Sequence, residues 1–259
     1  MIISKNIILL LLLTTFFQSK AQDSFDEIDF ERIPQKKVRE YIVQQEVDSI
    51  VSFSNIEPSL KTNSKTDDYK VHAKEYFVND SLKKVWHHYI YTNPADAWDG
   101  KRVTVGLVYS NKNNQVVYNN EKVARLNTGQ VVYLNLKFMK GVLNLATAIE
   151  FITIDTVNYI VEYSYIKGNK TEGKQRMEFF ENEKGQTCIV HSSYFKSDSR
   201  IRDRFFYPFF HDKFSNEFHR NMRKLYFKQK QTSQAEPSVE NSISALKKQH
   251  PPICHKHSL

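Results

Sequence analysis

Glycine is scarce in this chain and never clustered: seven among 259 residues, each standing alone. No glycine-rich loop can therefore cradle a phosphate, and no nucleotide cofactor is implied. A Gly-x-Ser-x-Gly elbow is missing too, which removes the usual hydrolase nucleophile. There are two cysteines, Cys188 and Cys254, enough for one disulfide in an oxidising compartment. Cys188 sits in the strand-like run "TCIVHSSYF" and Cys254 in a polar, proline-bearing tail. A buried, inert thiol at Cys188 is the expectation, and pairing stays open. Beyond the first residues no apolar run approaches the roughly 20 residues that span a bilayer, so no transmembrane segment is expected in the mature chain.

The start is different. "MIISKNIILLLLLTTFFQSKAQ" offers Lys5, then an apolar run from Ile7 to Phe17, then the small-x-small step Ser19-Lys20-Ala21. That is the layout of a secretory signal peptide over residues 1–21, and it predicts a periplasmic or secreted protein. Net charge is +8, and Lys5 and Lys20 leave with the signal. Export makes nucleic acid an unexpected partner for this basic surface; acidic lipid head groups, cell-wall polymers or an anionic small molecule fit better.

Residues 22–66 read as a polar N-terminal extension with one helical candidate, "PQKKVREYIVQQEVDSIVSF", and a linker, "NIEPSLKTNSKTDD". Residues 229–259 lack hydrophobic periodicity and read as a disordered polar tail. The folded part is expected over 67–228, as a monomer. There "YKVHAKEYFV" reads as a strand. Asp80-Ser81 then caps "LKKVWHHYIY", whose Leu82, Val85, Trp86, Tyr89 and Ile90 form a helical stripe that ends at Asn93-Pro94. Alternating segments follow: "RVTVGLVYS", "QVVYNNEKVARL", "GQVVYLNLKFM", "TAIEFITID", "NYIVEYSYI", "GKQRMEFFE" and "TCIVHSSYF". Short polar links between them suit antiparallel hairpins, and the alternation predicts one wet and one covered face. The cover is a last helix with Phe210, Phe214, Phe218, Met222 and Leu225 at helical spacing; Pro208 either opens it or kinks a longer one.

The order of strand, Trp-bearing helix, short helix, antiparallel meander and long amphipathic C-terminal helix resembles the START-like superfamily, which includes polyketide cyclases and birch-pollen-type allergens. The resemblance covers Tyr69 to Phe227 and rests on "VNDSLKKVWHHY" and the terminal helix. It implies an α+β helix-grip fold: a curved antiparallel sheet of about six or seven strands wrapped around the helix, with an apolar cavity between. It carries no universal catalytic set, and the export signal and the tail depart from typical members.

The stretch "SRIRDRFFYPFFHDKF" then reads as the mouth of that cavity, where an arginine could hold an acid while aromatic walls take an apolar body. The alternative, surface pairing of Arg200, Arg202 and Arg204 with Asp198, Asp203 and Asp212, stays open. The candidate ligand-binding residues are Tyr163, Tyr165, Phe179, His191, Arg202, Tyr207 and His211, for a hydrophobic or amphipathic, possibly anionic and lipid-like molecule. His191 could serve as acid or base if it faces the cavity, so catalysis of cyclase or hydrolase type is left open. A further alternative is a cell-envelope interaction scaffold with a filled core. No metal is expected. His211 and His219 lie eight residues apart, about 12 Å along a helix, and "HPPICHKHSL" suits only weak incidental binding.

Overall fold

The computed structural model describes residues 23–248, with side chains through 232 apart from that of Lys140. The signal region and the end of the tail, with Cys254 and its neighbouring histidines, lie outside the described residues. None of the described helices is long and apolar enough to cross a membrane.

Eight strands run in chain order: β1 (Lys70–Val78), β2 (Val103–Ser110), β3 (Gln115–Tyr118), β4 (Val131–Phe138), β5 (Leu143–Asp155), β6 (Ile160–Tyr165), β7 (Thr171–Glu181) and β8 (Thr187–Ser197). They form one antiparallel sheet in the order β1-β8-β7-β6-β5-β4-β2-β3. The count exceeds the expected six or seven because the opening strand returns to pair along β8, from Lys70 opposite Phe195 to Val78 opposite Thr187. Helices α1 (Lys36–Val47), α2 (Leu82–Tyr91), α3 (Pro94–Ala97) and α4 (Tyr207–Lys248) complete the fold.

The helix-facing side of the sheet carries Val105, Val132, Ile149, Phe151, Val161, Met177, Phe179 and Ile189. It packs Val85, Trp86 and Tyr89 of α2, Trp98 after α3, and Phe218, Met222 and Tyr226 of α4. Two register shifts bend the sheet, one between Val105 and Leu107 and one between Phe151 and Thr153. Each switches the parity that faces α4. Val103 and Val105 point toward the helix before the first bulge, and Val108 does so after it.

Residues 200–206 already coil ahead of α4, and Arg202–Phe206 form a π-turn. Pro208 lacks an N–H and its ring would crowd the carbonyl four residues back, which the wider turn relieves. Of the two readings of Pro208, the longer interrupted helix holds. The helix also runs on past Lys228 to Lys248, into sequence without apolar periodicity. Lys230 reaches back to Asp80 at 2.7 Å.

The outer face of the sheet is where expectation and structure part. It is not wet. Phe25, Ile28, Ile33, Phe53 and Ile56, with Val38 and Ile42 of α1, bury a second core against Leu107, Tyr109, Val131, Tyr133, Ala146, Ala148 and Ile166. The supposed linker is strapped down as well. Pro58 bridges Ile166, the Ser59 amide donates to Tyr165 O at 2.7 Å, and the Leu60 amide donates to Ser164 Oγ at 3.0 Å. Beneath this strap Glu162 and Lys174 pair at 2.9 Å while almost wholly buried. Lys174 also donates to Thr62 O at 2.8 Å, which satisfies the ammonium far from water.

Gly106 marks where α1 lands. A Cβ there would stand 2.7 Å from Val38 Cγ1, so only a residue without a side chain lets α1 approach the bulge. Gly106→Ala is expected to destabilise the protein by about 1–3 kcal/mol through overpacking. Urea unfolding checks this, and an unchanged midpoint would show that α1 yields without cost.

Candidate functional site

The polar groups of the helix-facing side gather at the β1 side of α4, the helix that runs over this part of the sheet. Strand alternation puts His191 and Ser193 of β8, Gln175 of β7 and Tyr163 and Tyr165 of β6 on this side. Helical spacing presents Tyr207, His211, Ser215 and His219 of α4 to them. Two hydrogen-bonded systems result.

The deeper one is a chain of four rings. Tyr163 OH lies 3.2 Å from His191 Nε2, His191 Nδ1 lies 2.9 Å from His219 Nε2, and His219 Nδ1 lies 2.9 Å from Tyr89 OH. Every ring nitrogen of both histidines is engaged. Burial lowers both histidines: His219 falls to about 3, helped by nearby His211, and His191 falls well below its ordinary range. Both are therefore neutral at pH 7, and each passes one proton along the chain. Burial likewise raises Tyr163 far above the usual phenol range.

The outer system centres on Gln175. Its Nε2 donates to Ser193 Oγ at 2.8 Å and to Tyr207 OH at 3.0 Å, and its Oε1 lies 2.9 Å from His211 Nε2. Tyr207 OH also meets Tyr165 OH and Ser193 Oγ, each at 2.9 Å. The Tyr207 ring stacks on Phe195 at 3.8 Å between centroids. Burial lowers His211 to about 4. Its Nδ1 is buried and has no hydrogen-bond partner. On β1, the strand next to β8, His72 Nε2 lies 2.8 Å from Asp212 Oδ1, and Lys74 lies 3.7 Å from the other oxygen.

The expected apolar hollow is filled. Trp98 lies 4.8 Å from Phe218 between ring centroids, and Trp86 and Tyr89 meet Phe179 edge-on at 5.2 and 5.0 Å. The void left among Tyr89, Trp98, Phe151, Met177, Phe218 and Met222 measures about 10 Å³, space for one water at most. Chemistry at His191 would need a reacting group beside it, and its two nitrogens are already taken by Tyr163 and His219. A wider groove of about 540 Å³ opens elsewhere, between α2, the 122–124 loop and the later turns of α4, and none of the expected ligand residues lines it.

One antiparallel sheet, two helices between its first strands, and a long terminal helix laid over one face define the architecture. In fold, the chain is a helix grip. No family model matches the sequence, and no curated protein matches it. Among solved structures, norcoclaurine synthase from Thalictrum flavum, in complex with dopamine and hydroxybenzaldehyde, is similar at 15% identity and TM-score 0.46, over 62% of this chain and 87% of that one. Major latex-like protein 151 from Panax ginseng is similar at 11% identity and TM-score 0.45, over 61% and 97%. These neighbours share an outline with the chain, and their ligands do not transfer to it.

Within this helix-grip frame the expected site residues divide. Tyr163, Tyr165, His191, Tyr207 and His211 do come together, as members of the two hydrogen-bonded systems. Phe179 is core, packed on Trp86 and Tyr89. Arg202 stands apart: its guanidinium pairs with Asp198 and reaches Lys170 O at 3.5 Å. The pairing alternative holds for Arg202 alone. Asp203 instead accepts from Ser197 Oγ at 2.5 Å, and Asp212 faces His72 and Lys74. Among the described residues, Arg200 and Arg204 have no carboxylate in ion-pair range.

Sequence reasoning missed Gln175, Tyr89 and His72. Gln175 was legible only as one face of an alternating strand, and His72 as one letter of an edge strand. His219 entered only as a rejected partner of His211. The 12 Å along the helix is bridged by the His191 ring, 5.3 Å from His211 and 5.1 Å from His219 between centroids.

Around the start of α4 an apolar face remains open. Ile201, Phe205, Phe206 and Phe209 are each more than half exposed, as are Met139, Val142 and Leu143 of the β4–β5 turn. Phe138, next to Met139 in the chain, packs edge-on against Phe210 and Phe214 at 4.6 and 5.3 Å, and Phe210 meets Phe209 at 5.1 Å. Cations overlie the rings, Lys213 at 4.4 Å from the Phe209 centroid and Arg204 at 5.5 Å from that of Phe205.

Proposed function

We propose that the protein is an exported, non-catalytic binder of an anionic amphiphile, which it holds on the aromatic and basic face at the start of α4. The reading keeps the class of ligand expected from the sequence and moves it from the interior to the surface. The single observation that carries it is that face: seven large apolar side chains more than half exposed, beside Arg200 and Arg204 with no acidic partner among the described residues. Soluble domains rarely leave such a patch open without a use. Rings and methylenes suit acyl chains at the interface, and unpaired guanidinium groups suit phosphate or carboxylate heads. The packed interior supports this placement, because a guest inside the grip would have to displace Trp98 or Phe218.

Sedimentation with vesicles tests the reading. Binding is expected to phosphatidylcholine vesicles that contain phosphatidylglycerol, to weaken with salt, and to fall at least about tenfold in Arg200→Glu/Arg204→Glu. Phe205→Ser/Phe206→Ser should weaken it too, without loss of thermal stability, since both rings are exposed. Native mass spectrometry of the vesicle-free protein separates a carried monomeric amphiphile, seen as added mass, from recognition of a lipid surface. Equal binding to neutral vesicles, or none to either with no retained amphiphile, overturns the proposal.

A further inference from the structure

We infer that His72, His211 and Asp212 form a binding site for a divalent transition metal, at the junction of β1 with α4. One ligand atom from each lies within 4.8 Å of the other two. Tetrahedral zinc sites place nitrogen and oxygen ligands about 3.3 Å apart, given bonds near 2.0–2.1 Å. Side-chain rotations that together draw the ligand atoms up to about 1.5 Å closer therefore close the triangle. Two imidazoles and one carboxylate form a donor set that suits zinc, ferrous iron or cobalt better than calcium or magnesium.

A second, independent observation points to a ligand. His211 is buried, and its Nδ1 meets no hydrogen-bond donor. Its orientation is not accidental. The Gln175 amide donates from Nε2 to Ser193 Oγ and Tyr207 OH, which turns its Oε1 toward His211 Nε2 at 2.9 Å. The acceptor oxygen holds the His211 proton on Nε2 and leaves a bare lone pair on Nδ1. A histidine that donates one N–H to a fixed carbonyl while its other nitrogen is left unpaired is the arrangement that metal-ligating imidazoles adopt. Leaving that nitrogen unpaired in the interior has a cost, and a cation removes it.

The other two ligands face outward. His72 and Asp212 are partly exposed, so an ion has a path from solvent and one side of the site remains open to water. Lys74, 3.7 Å from Asp212 and partly exposed, is the group an ion would displace. The expectation that this protein lacks a metal site rested on the spacing of His211 and His219, on the adjacent His87 and His88, and on the tail, and did not weigh His72. The trio arises instead because β1 closes the sheet edge against α4 and so brings residue 72 to residues 211 and 212.

Cobalt titration of the purified protein tests the assignment, with visible absorption as the readout and zinc as competitor. Tail histidines outside the described residues can bind weakly, so the decisive comparison is between variants. His72→Ala and Asp212→Ala are each expected to remove one bound equivalent or weaken it at least tenfold, with the melting temperature without metal kept. Gln175→Leu should weaken binding about 10–100-fold while leaving the three ligands in place. Cobalt spectra and stoichiometry unchanged in both His72→Ala and Asp212→Ala, or no binding by the wild-type protein, overturn the inference.

Discussion

Unfolding free energy is expected to fall steeply as pH drops from 7 to 5, by about 4 kcal/mol. Burial lowers His191, His211 and His219 below the ordinary histidine value of 6.5, to about 4 for His211 and about 3 for His219. In the unfolded chain each takes up a proton near 6.5, and in the folded chain each resists until far more acid conditions. The unfolded state thus binds more protons throughout this window, so stability is full above 6.5 and is lost as pH falls. Each buried histidine contributes about 2 kcal/mol by pH 5. Glu150 works the other way: burial, with Glu57 nearby, raises its carboxyl to about 7, and its uptake of a proton in the folded state offsets roughly one histidine. His88, lowered mainly by burial, adds to the loss. Urea titrations between pH 8 and 5 measure the effect directly. A flat profile would mean that the three imidazoles reach water in the native state.

Removing the carboxylate of Glu217 is expected to cost about 3–5 kcal/mol. This side chain of α4 is 3% exposed. It accepts from the backbone amides of Arg102 at 2.7 Å and Val103 at 3.2 Å, and from Arg102 Nη1 at 3.1 Å. It therefore anchors the early turns of α4 to the start of β2, and Glu217→Ala leaves the buried Val103 amide and the half-buried Arg102 donors without their acceptor. Gly100 belongs to the same joint, since a Cβ there would sit 2.0 Å from Glu217 Oε1. Chemical denaturation of Glu217→Ala and Glu217→Gln gives the test. The glutamine keeps one acceptor oxygen and should lose less than the alanine, and equal losses would show that charge rather than hydrogen bonding holds the joint.

How much of this was legible in the chain differs from element to element. Trp86, Tyr89 and Ile90 at helical spacing announced α2, and the parity of "NYIVEYSYI" put Tyr163 and Tyr165 on one face of their strand. The second core was also written, less plainly. "RVTVGLVYS" and "GQVVYLNLKFM" are nearly continuous apolar runs, the pattern of strands covered on both faces. Strict alternation in β6 and β7 suggested water on the outer side. There the structure buries Glu162 with Lys174 under the strap that includes Ser59, Leu60 and Thr62, and no periodicity reports a paired charge. The helical register of α1 was visible, yet its partner was not, because Gly106 and Val38 meet only through the fold.

By itself the sequence determined the elements and their faces, since side-chain period follows from backbone geometry residue by residue. It also set the aromatic and basic character of the stretch before α4. Tertiary structure alone decided that Trp98 and Phe218 fill the grip and that His72 stands against His211 and Asp212. Those outcomes depend on how volumes and lone pairs meet between segments more than a hundred residues apart, and such meetings have no local signature in the chain.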